Sequence, residues 1–304
     1  MSERRRIFFV TGANGGVGLE ATRQLLQDDS NCHVYMLCRS KERAEKALET
    51  LDHQGRAFFL AFDATQDFCQ DIPDTIDSID GLLLNAGGFG DDPKLTPTTR
   101  QDGNTVCPVA QLNLLGHAAL VKKLLALGKL TSTSRIVASG TEGCFAPPSP
   151  NFQWETCDFS KHLAGEIAVQ GSPYGWVKGI LAFYWAAFAR HHPDIFVLTV
   201  SPGAVKGTGL LNHGGVTSVL RMFAHALIFF KGSNTIQVGA KHYVDALLAR
   251  GDFSADKGVA SGSFFAHRKG YNQDFGDVTQ HKAGKAFADQ AIQDRAWEAV
   301  EAML

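Results

Sequence analysis

The sequence holds no C-x-x-C pair and no zinc-type cysteine spacing. Its six cysteines (Cys32, Cys38, Cys69, Cys107, Cys144 and Cys157) are scattered through the chain, which excludes a disulfide scaffold and points to reduced, partly buried thiols. No stretch approaches the ~18 apolar residues of a spanning helix. After Met1 to Arg6 only four strongly apolar residues follow before a Thr-Gly pair, too few for a secretory signal. A cytoplasmic protein is therefore expected. Charge of either sign is not in excess: 29 Lys+Arg stand against 31 Asp+Glu, a formal net charge of -2. Such a chain has no broad field to draw in nucleic acid or an anionic membrane. Eleven histidines form no helix-spaced pair, so no metal is expected. Internal repeats and Pro- or Ser-rich linkers are missing too. What is abundant is glycine, 31 of 304 residues, about one in ten against a usual ~7%. Glycine goes where a backbone must turn tightly or approach a ligand.

The hydrophobic pattern switches between two periods. Ile7 to Val10, His33 to Cys38, Ala57 to Ala61, Ile79 to Leu84, Ser134 to Ala138 and Ile195 to Val200 read as buried strands, and Gly262 to Ala266 as a seventh. Between them, residues 17–27, a charged helix capped by Ser40, Leu112 to Leu127 and residues 173–190 carry helical spacing. Continuous apolar strands alternating with helices predict a parallel sheet covered on both faces. Right-handed crossovers then make it doubly wound. Residues 143–173 and 206–231 interrupt the rhythm after strand ends, where open α/β sheets bind ligands. A helix is expected from about 280 to the end.

Between the first strand and first helix lies Thr11-Gly12-Ala13-Asn14-Gly15-Gly16-Val17-Gly18. In that setting a glycine-rich turn lets the backbone and the helix N-terminus meet a pyrophosphate. Arg39 ends the second strand, where an acidic residue would hold the 2′-hydroxyl of NAD; an arginine instead accommodates the 2′-phosphate of NADP. Ser40 adds a polar group beside it. Asp63 and Ala64 follow the third strand, with Asp63 placed to bond an adenine amino group. Asn85, Ala86 and Gly87 follow the fourth, where small residues let the backbone pass close to adenosine and ribose.

Taken in order, TGxxxGxG at 11–18, NAG at 85–87, LNLLGH around Asn113, Tyr174-x-x-x-Lys178 and Ser201-Pro202-Gly203 resemble the short-chain dehydrogenase/reductase family over roughly residues 7–250. CRS at 38–40 and PGAVKGTGL at 202–210 look closer to its retinol dehydrogenase and protochlorophyllide reductase branch. The resemblance implies a single Rossmann-type α/β domain spanning residues 1–304, doubly wound on a mostly parallel sheet of about seven strands. It also implies NADP(H)-dependent oxidoreduction.

Tyr174 and Lys178 stand four apart on one helix face. A phenol ionises near ~10, too high for neutral-pH proton exchange, and a nearby ammonium favours the phenolate. The pair thus suits general acid/base work on a carbonyl or alcohol. From the resemblance, a hydroxyl after the fifth strand orients the substrate oxygen. The position corresponds to Thr141, with Ser139 as the alternative. Asn113 would hold a water linked to the lysine. Pro202 and Gly203 would pass the nicotinamide amide, Val205 would add backbone contacts, and Thr208 would reach the phosphates. Phe89, Phe145, Phe152, Trp154, Trp176, Leu210, Leu211, Met222 and Phe223 are expected around a bulky hydrophobic substrate, or else in the core. Residues 216–230 are apolar enough to touch a membrane, but Arg221 and His225 interrupt them. The apolar helix Gly179 to Arg190 is either deeply packed or pairs with a second copy, giving a monomer or a homodimer. Two other functions fit the same motifs. One is an NADP-binding regulator without turnover, and the other a reductase of a pigment-like C=C bond.

Overall fold

The structure, a computed structural model, describes residues 4–90, 96–100, 102–145, 152–167, 173–208, 233–268, 274–279 and 282–304. Leu210, Leu211, Arg221, Met222, Phe223, His225 and the rest of the 216–230 run lie outside the described residues.

The chain opens with β1 (Arg6–Thr11), α1 (Gly16–Asp28), β2 (Cys32–Cys38), α2 (Lys41–Leu48), β3 (Ala57–Asp63), β4 (Phe68–Cys69) and β5 (Gly81–Leu84). A small hairpin, β6 (Thr98–Thr99) and β7 (Thr105–Val106), leads into α3 (Pro108–Ala110), a π-helical turn at Gln111–Leu115, and α4 (Gly116–Ala126). There follow β8 (Arg135–Ser139), α5 (Phe159–Ala164), α6 (Pro173–His191), β9 (Phe196–Val200), α7 (Ile236–Leu247), β10 (Phe264–His267), β11 (Phe275–Asp277) and α8 (Gln290–Glu301). The sheet runs β11-β10-β9-β8-β5-β1-β2-β3-β4. Its seven inner strands pair in parallel, as the periodicity predicts. The two short outer strands, β4 and β11, pair antiparallel and bring the total to nine. Each is too brief to carry a hydrophobic period of its own, which is why the sequence pattern passes over them.

Strand order reverses at β1, between β2 on one side and β5 on the other. Such a switch point leaves a crevice at the carboxyl ends of the strands, because the following connections diverge to opposite faces. Alternation along β1 sends Phe8 and Val10 into the core under α1, α2 and α7, and Ile7 and Phe9 into the core under α4 and α6. Helix α6 is buried at every position from Gly175 to Ala189. One side faces the sheet, and the other is covered by α8, where Trp297 stacks on Tyr184 at 5.2 Å and Glu301 accepts a hydrogen bond from the Tyr184 hydroxyl at 2.9 Å. Its apolar circumference is satisfied within the chain. No helix among the described residues is long and apolar enough to cross a membrane.

Candidate active site

The glycine-rich turn is held from behind by side chains. Asn85 donates from Nδ2 to the Thr11 and Gly12 carbonyls at 3.0 and 3.5 Å. Thr11 accepts from the Ala86 N–H at 2.9 Å through its hydroxyl. A Cβ on Gly18 would sit 2.5 Å from both Asn85 Nδ2 and the Gly12 carbonyl, so only glycine lets the first turn of α1 close on the loop. The outer side of the turn is bare. Gly15 is exposed, with nothing within 4 Å of the point where a side chain would begin. The first turn of α1 has no side-chain cap and no acidic residue. This is the donor set a pyrophosphate needs, so the residues fit a dinucleotide. Thr208 approaches Gly16 from the far side, its methyl 3.8 Å from that glycine's notional Cβ. Asn14 lies half-buried in the turn, and Val17 beneath it in the core.

Arg39 is exposed just past β2, and the Ser40 hydroxyl caps α2 by accepting from the Arg43 N–H at 3.3 Å. Asp63 turns one carboxylate oxygen toward Thr65, accepting from its N–H at 3.0 Å and its hydroxyl at 2.7 Å. The Ala64 carbonyl accepts from Gln111 Nε2 at 2.8 Å. These residues lie at the carboxyl ends of β2 and β3.

On the other side of the switch point the structure gathers Gly87, Asn113 and Lys178. A Cβ on Gly87 would lie 2.5 Å from Asn113 Oδ1 and 3.5 Å from Lys178 Nζ. Asn113 is fully buried in the π-helical turn. Its Oδ1 accepts from the Gly88 N–H at 3.1 Å, and its Nδ2 donates to the Gly88 and Val109 carbonyls, both at 2.8 Å. Asparagine is disfavoured inside a helix, and here every polar atom of its side chain is used. Lys178 is 1% exposed and donates to the Ser139 carbonyl at 2.7 Å. Its Nζ lies 5.6 Å from the Tyr174 ring centroid. Burial pulls the Lys178 pKa down to about 7. Tyr174 is half-buried with the Phe89 ring 4.6 Å away. Burial first, and then the negative charge of Glu142, pushes its phenol above the usual range. That direction is opposite to the expectation from the Tyr-x-x-x-Lys spacing. Spacing registers the lysine's position but not the desolvation that weakens its charge.

The two candidate hydroxyls separate. Ser139 faces α7, its Oγ 2.6 Å from the Tyr243 hydroxyl. Thr141 is half-buried beyond the strand end, and its hydroxyl accepts from the Gly143 N–H at 3.2 Å. Gly143 packs against Gly175, next to Tyr174. Pro202 and Gly203 follow β9 and are tied down by Asn234, whose Nδ2 donates to the Pro202 carbonyl at 2.9 Å, while Val205 bridges to Asn234. Phe145, Trp154 and Trp176 join Phe183, Phe264 and Phe287 in one aromatic cluster of the core, and Phe152 meets Trp154 edge-on at 4.8 Å.

His117, buried four residues after Asn113, is a structural member of the site that stands outside the expected site residues. Its Nδ1 meets the Asn113 carbonyl at 3.3 Å and must donate there, leaving Nε2 to accept from the Thr11 hydroxyl at 3.0 Å. Burial pulls its pKa down to about 3, so the ring is neutral and this tautomer is kept. The i, i+4 relation to Asn113 is the one signal in the sequence that points to it. No group of side chains among the described residues is arranged to hold a metal ion.

Residues 6–148 match the short chain dehydrogenase family. The short-chain dehydrogenase fogG of Aspergillus ruber is 31% identical over 262 residues, spanning 78% of this chain and 70% of that protein. The chain belongs to the short-chain dehydrogenase/reductase family. Members of that family are oxidoreductases that use nicotinamide cofactors, and the bare, uncapped turn at Gly15 fits such a dinucleotide. The WW domain-containing oxidoreductase of Drosophila melanogaster is 34% identical over 94 residues, 28% of this chain but only 22% of that protein. Among solved structures, the RhlG/NADP active-site complex of Pseudomonas aeruginosa matches with a TM-score of 0.61 at 18% identity, covering 86% of this chain and 94% of that one. At that identity the match speaks for the fold.

Proposed function

We propose that this short-chain dehydrogenase/reductase interconverts a carbonyl and an alcohol on a bulky hydrophobic small molecule, with NADP(H) as its cofactor. The observation that carries the reading is the buried Lys178 amine beneath Tyr174, at the strand ends beside Gly87 and the Ser139 carbonyl. The N–H groups around Gly15 and Gly16 would hold the pyrophosphate. Exposed Arg39 with Ser40 would meet the 2′-phosphate, and Asp63, Ala64, Asn85 and Ala86 would line the adenosine side. Pro202, Gly203, Val205 and Thr208 would border the nicotinamide half. When bound, the dinucleotide supplies or accepts the hydride.

The chain's own residues do the rest. Thr141 donates its hydroxyl to the substrate oxygen. Tyr174, kept protonated by its surroundings, delivers a proton to that oxygen as negative charge develops. Lys178 charges as the site gains an anion, assists the phenol and meets the ribose. Asn113 keeps the Gly88 backbone and the π-helical turn in register around the lysine. A phenol held above its usual range enters the site protonated, the form in which it can serve as the acid when a carbonyl is reduced. Purified protein with NADPH and a panel of hydrophobic ketones and aldehydes tests the reading, by loss of absorbance at the nicotinamide band. Tyr174→Phe is expected to lower kcat by about 10²- to 10⁴-fold. Turnover at the wild-type rate in that variant removes Tyr174 from the mechanism.

A further inference from the structure

Glu142 follows Thr141 directly and has a role that no motif assigns. Its carboxylate is only 12% exposed, yet both oxygens are engaged. Oε1 accepts from the backbone N–H of His267 at 3.0 Å and from His267 Nδ1 at 2.9 Å, at the end of β10. Oε2 accepts from the Ser201 hydroxyl at 2.7 Å, and the same Ser201 oxygen accepts from the Gly203 N–H at 3.1 Å. Burial disfavours its charge, but the hydrogen bonds from His267 and Ser201 outweigh that and hold the carboxyl below its usual range. One side chain thus spans three strand ends. It joins the segment carrying Thr141 to the Ser201–Gly203 turn after β9, and both to β10.

The spanning matters because the two sides are otherwise separate loops. Thr141 and Tyr174 belong to the substrate-oxygen side, while Pro202 and Gly203 belong to the nicotinamide side. The β8–β9 ladder ends at Ser139 and Val200, with one further bond from the Gly140 N–H to the Val200 carbonyl. Beyond that point, the Glu142–Ser201–Gly203 chain continues the connection where the ladder has stopped. A charged, shielded acceptor makes a stiffer tie than a neutral one.

We propose that Glu142 is a positioning residue, whose carboxylate sets the spacing between the Thr141–Tyr174 side of the cleft and the Ser201–Gly203 turn, and thereby the seating of the nicotinamide end of the cofactor. The inference rests on the function proposed above. It predicts that breaking the tie affects one end of the dinucleotide and spares the other. In the full-length protein, Glu142→Ala and Ser201→Ala raise the Kd for NADPH by about 10- to 100-fold, read by protein fluorescence. Binding of 2′,5′-ADP, which lacks the nicotinamide half, stays within about twofold of wild type. In turnover, kcat falls while KM for the carbonyl substrate changes little. The deuterium isotope effect on kcat rises, because hydride transfer becomes slower than product release. Glu142→Gln rebuilds the tie with its amide donating to Ser201, and recovers most of the NADPH affinity.

If Glu142→Ala fails to fold, Ser201→Ala carries the test alone, since it cuts the link to the turn and leaves the Glu142–His267 pair. Wild-type NADPH affinity and kcat in Ser201→Ala would overturn the proposal. So would a parallel loss of NADPH and 2′,5′-ADP binding, which marks a general structural role. A wild-type protein that binds neither NADPH nor NADH overturns the proposed function instead.

Discussion

Replacing Lys178 by methionine separates what the site costs from what it does. The side chain is 1% exposed and its pKa is pulled down to about 7 by burial, against an ordinary 10.5. Each pKa unit is worth about 1.4 kcal/mol, so the charged lysine destabilises the fold by about 5 kcal/mol at pH values below 7. The sign follows from proton counts. Between pH 7 and 10.5 the unfolded chain keeps the proton and the folded chain releases it, so stability from this group rises with pH across that window. Above 10.5 both states are neutral and the penalty is gone. Methionine has a similar length and no charge. It also loses the hydrogen bond to the Ser139 carbonyl, a change of about 1 kcal/mol in the other direction. Lys178→Met should therefore be about 3–4 kcal/mol more stable than wild type at pH 6, and the gain should decline by about 4 kcal/mol by pH 10. Urea denaturation of both proteins at several pH values between 6 and 10 measures this. Parallel stability curves across that range would refute the reasoning, because they would mean that the lysine is not desolvated in the fold. The same variant should lose carbonyl reduction, giving a more stable protein with a silent site.

Three further outcomes are expected. Gly18→Ala places a methyl 2.5 Å from the Gly12 carbonyl and from Asn85 Nδ2; it should destabilise the protein by about 1–3 kcal/mol and weaken dinucleotide binding, as read by melting temperature with and without NADPH. Arg39→Ala should cut the preference for NADPH over NADH by about tenfold or more, and equal ratios of kcat/KM in variant and wild type would contradict the 2′-phosphate role. Phe183→Ala removes a fully buried ring stacked on Phe287 at 4.6 Å, and should cost about 3–5 kcal/mol, measured by denaturation. A change below 1 kcal/mol would mean that the aromatic cluster under the C-terminal segment can close over the gap.

Features that depend on near neighbours are legible in the order of residues. Strands β1, β2, β3, β5, β8 and β9 announce themselves as apolar runs, and α1 follows from a glycine turn with helical spacing behind it. Ser40 is recognisable as a cap because capping depends on neighbours two or three positions away. Tyr174 and Lys178 share a helix face for the same reason. The edge strands β4 and β11 leave no trace, since two or three residues cannot display a period. Aromatic content says that rings will cluster, but Phe145, Trp154 and Trp176 are equally compatible with a pocket wall or a core. Their place against Phe183, Phe264 and Phe287 depends on how α6 and the C-terminal segment meet.

By itself, then, the order of residues determined the alternation of strands and helices, the turn at Gly15 that suits a pyrophosphate, and the helical pairing of Tyr174 with Lys178. Each depends on contacts within a few positions along the chain. Only the tertiary structure decided the rest. Ser139 turns to Tyr243, 104 residues away, while Thr141 bonds to the Gly143 N–H, and Gly143 packs on Gly175 of α6. Glu142 finds Ser201 and His267, 59 and 125 residues further on, and His117 reaches back 106 residues to Thr11. Burial, which reverses the expected shift of the Tyr174 phenol and weakens the Lys178 charge, exists only once the sheet and its helices have closed around them. Local spacing places groups on a face; desolvation and long-range partners decide their charge.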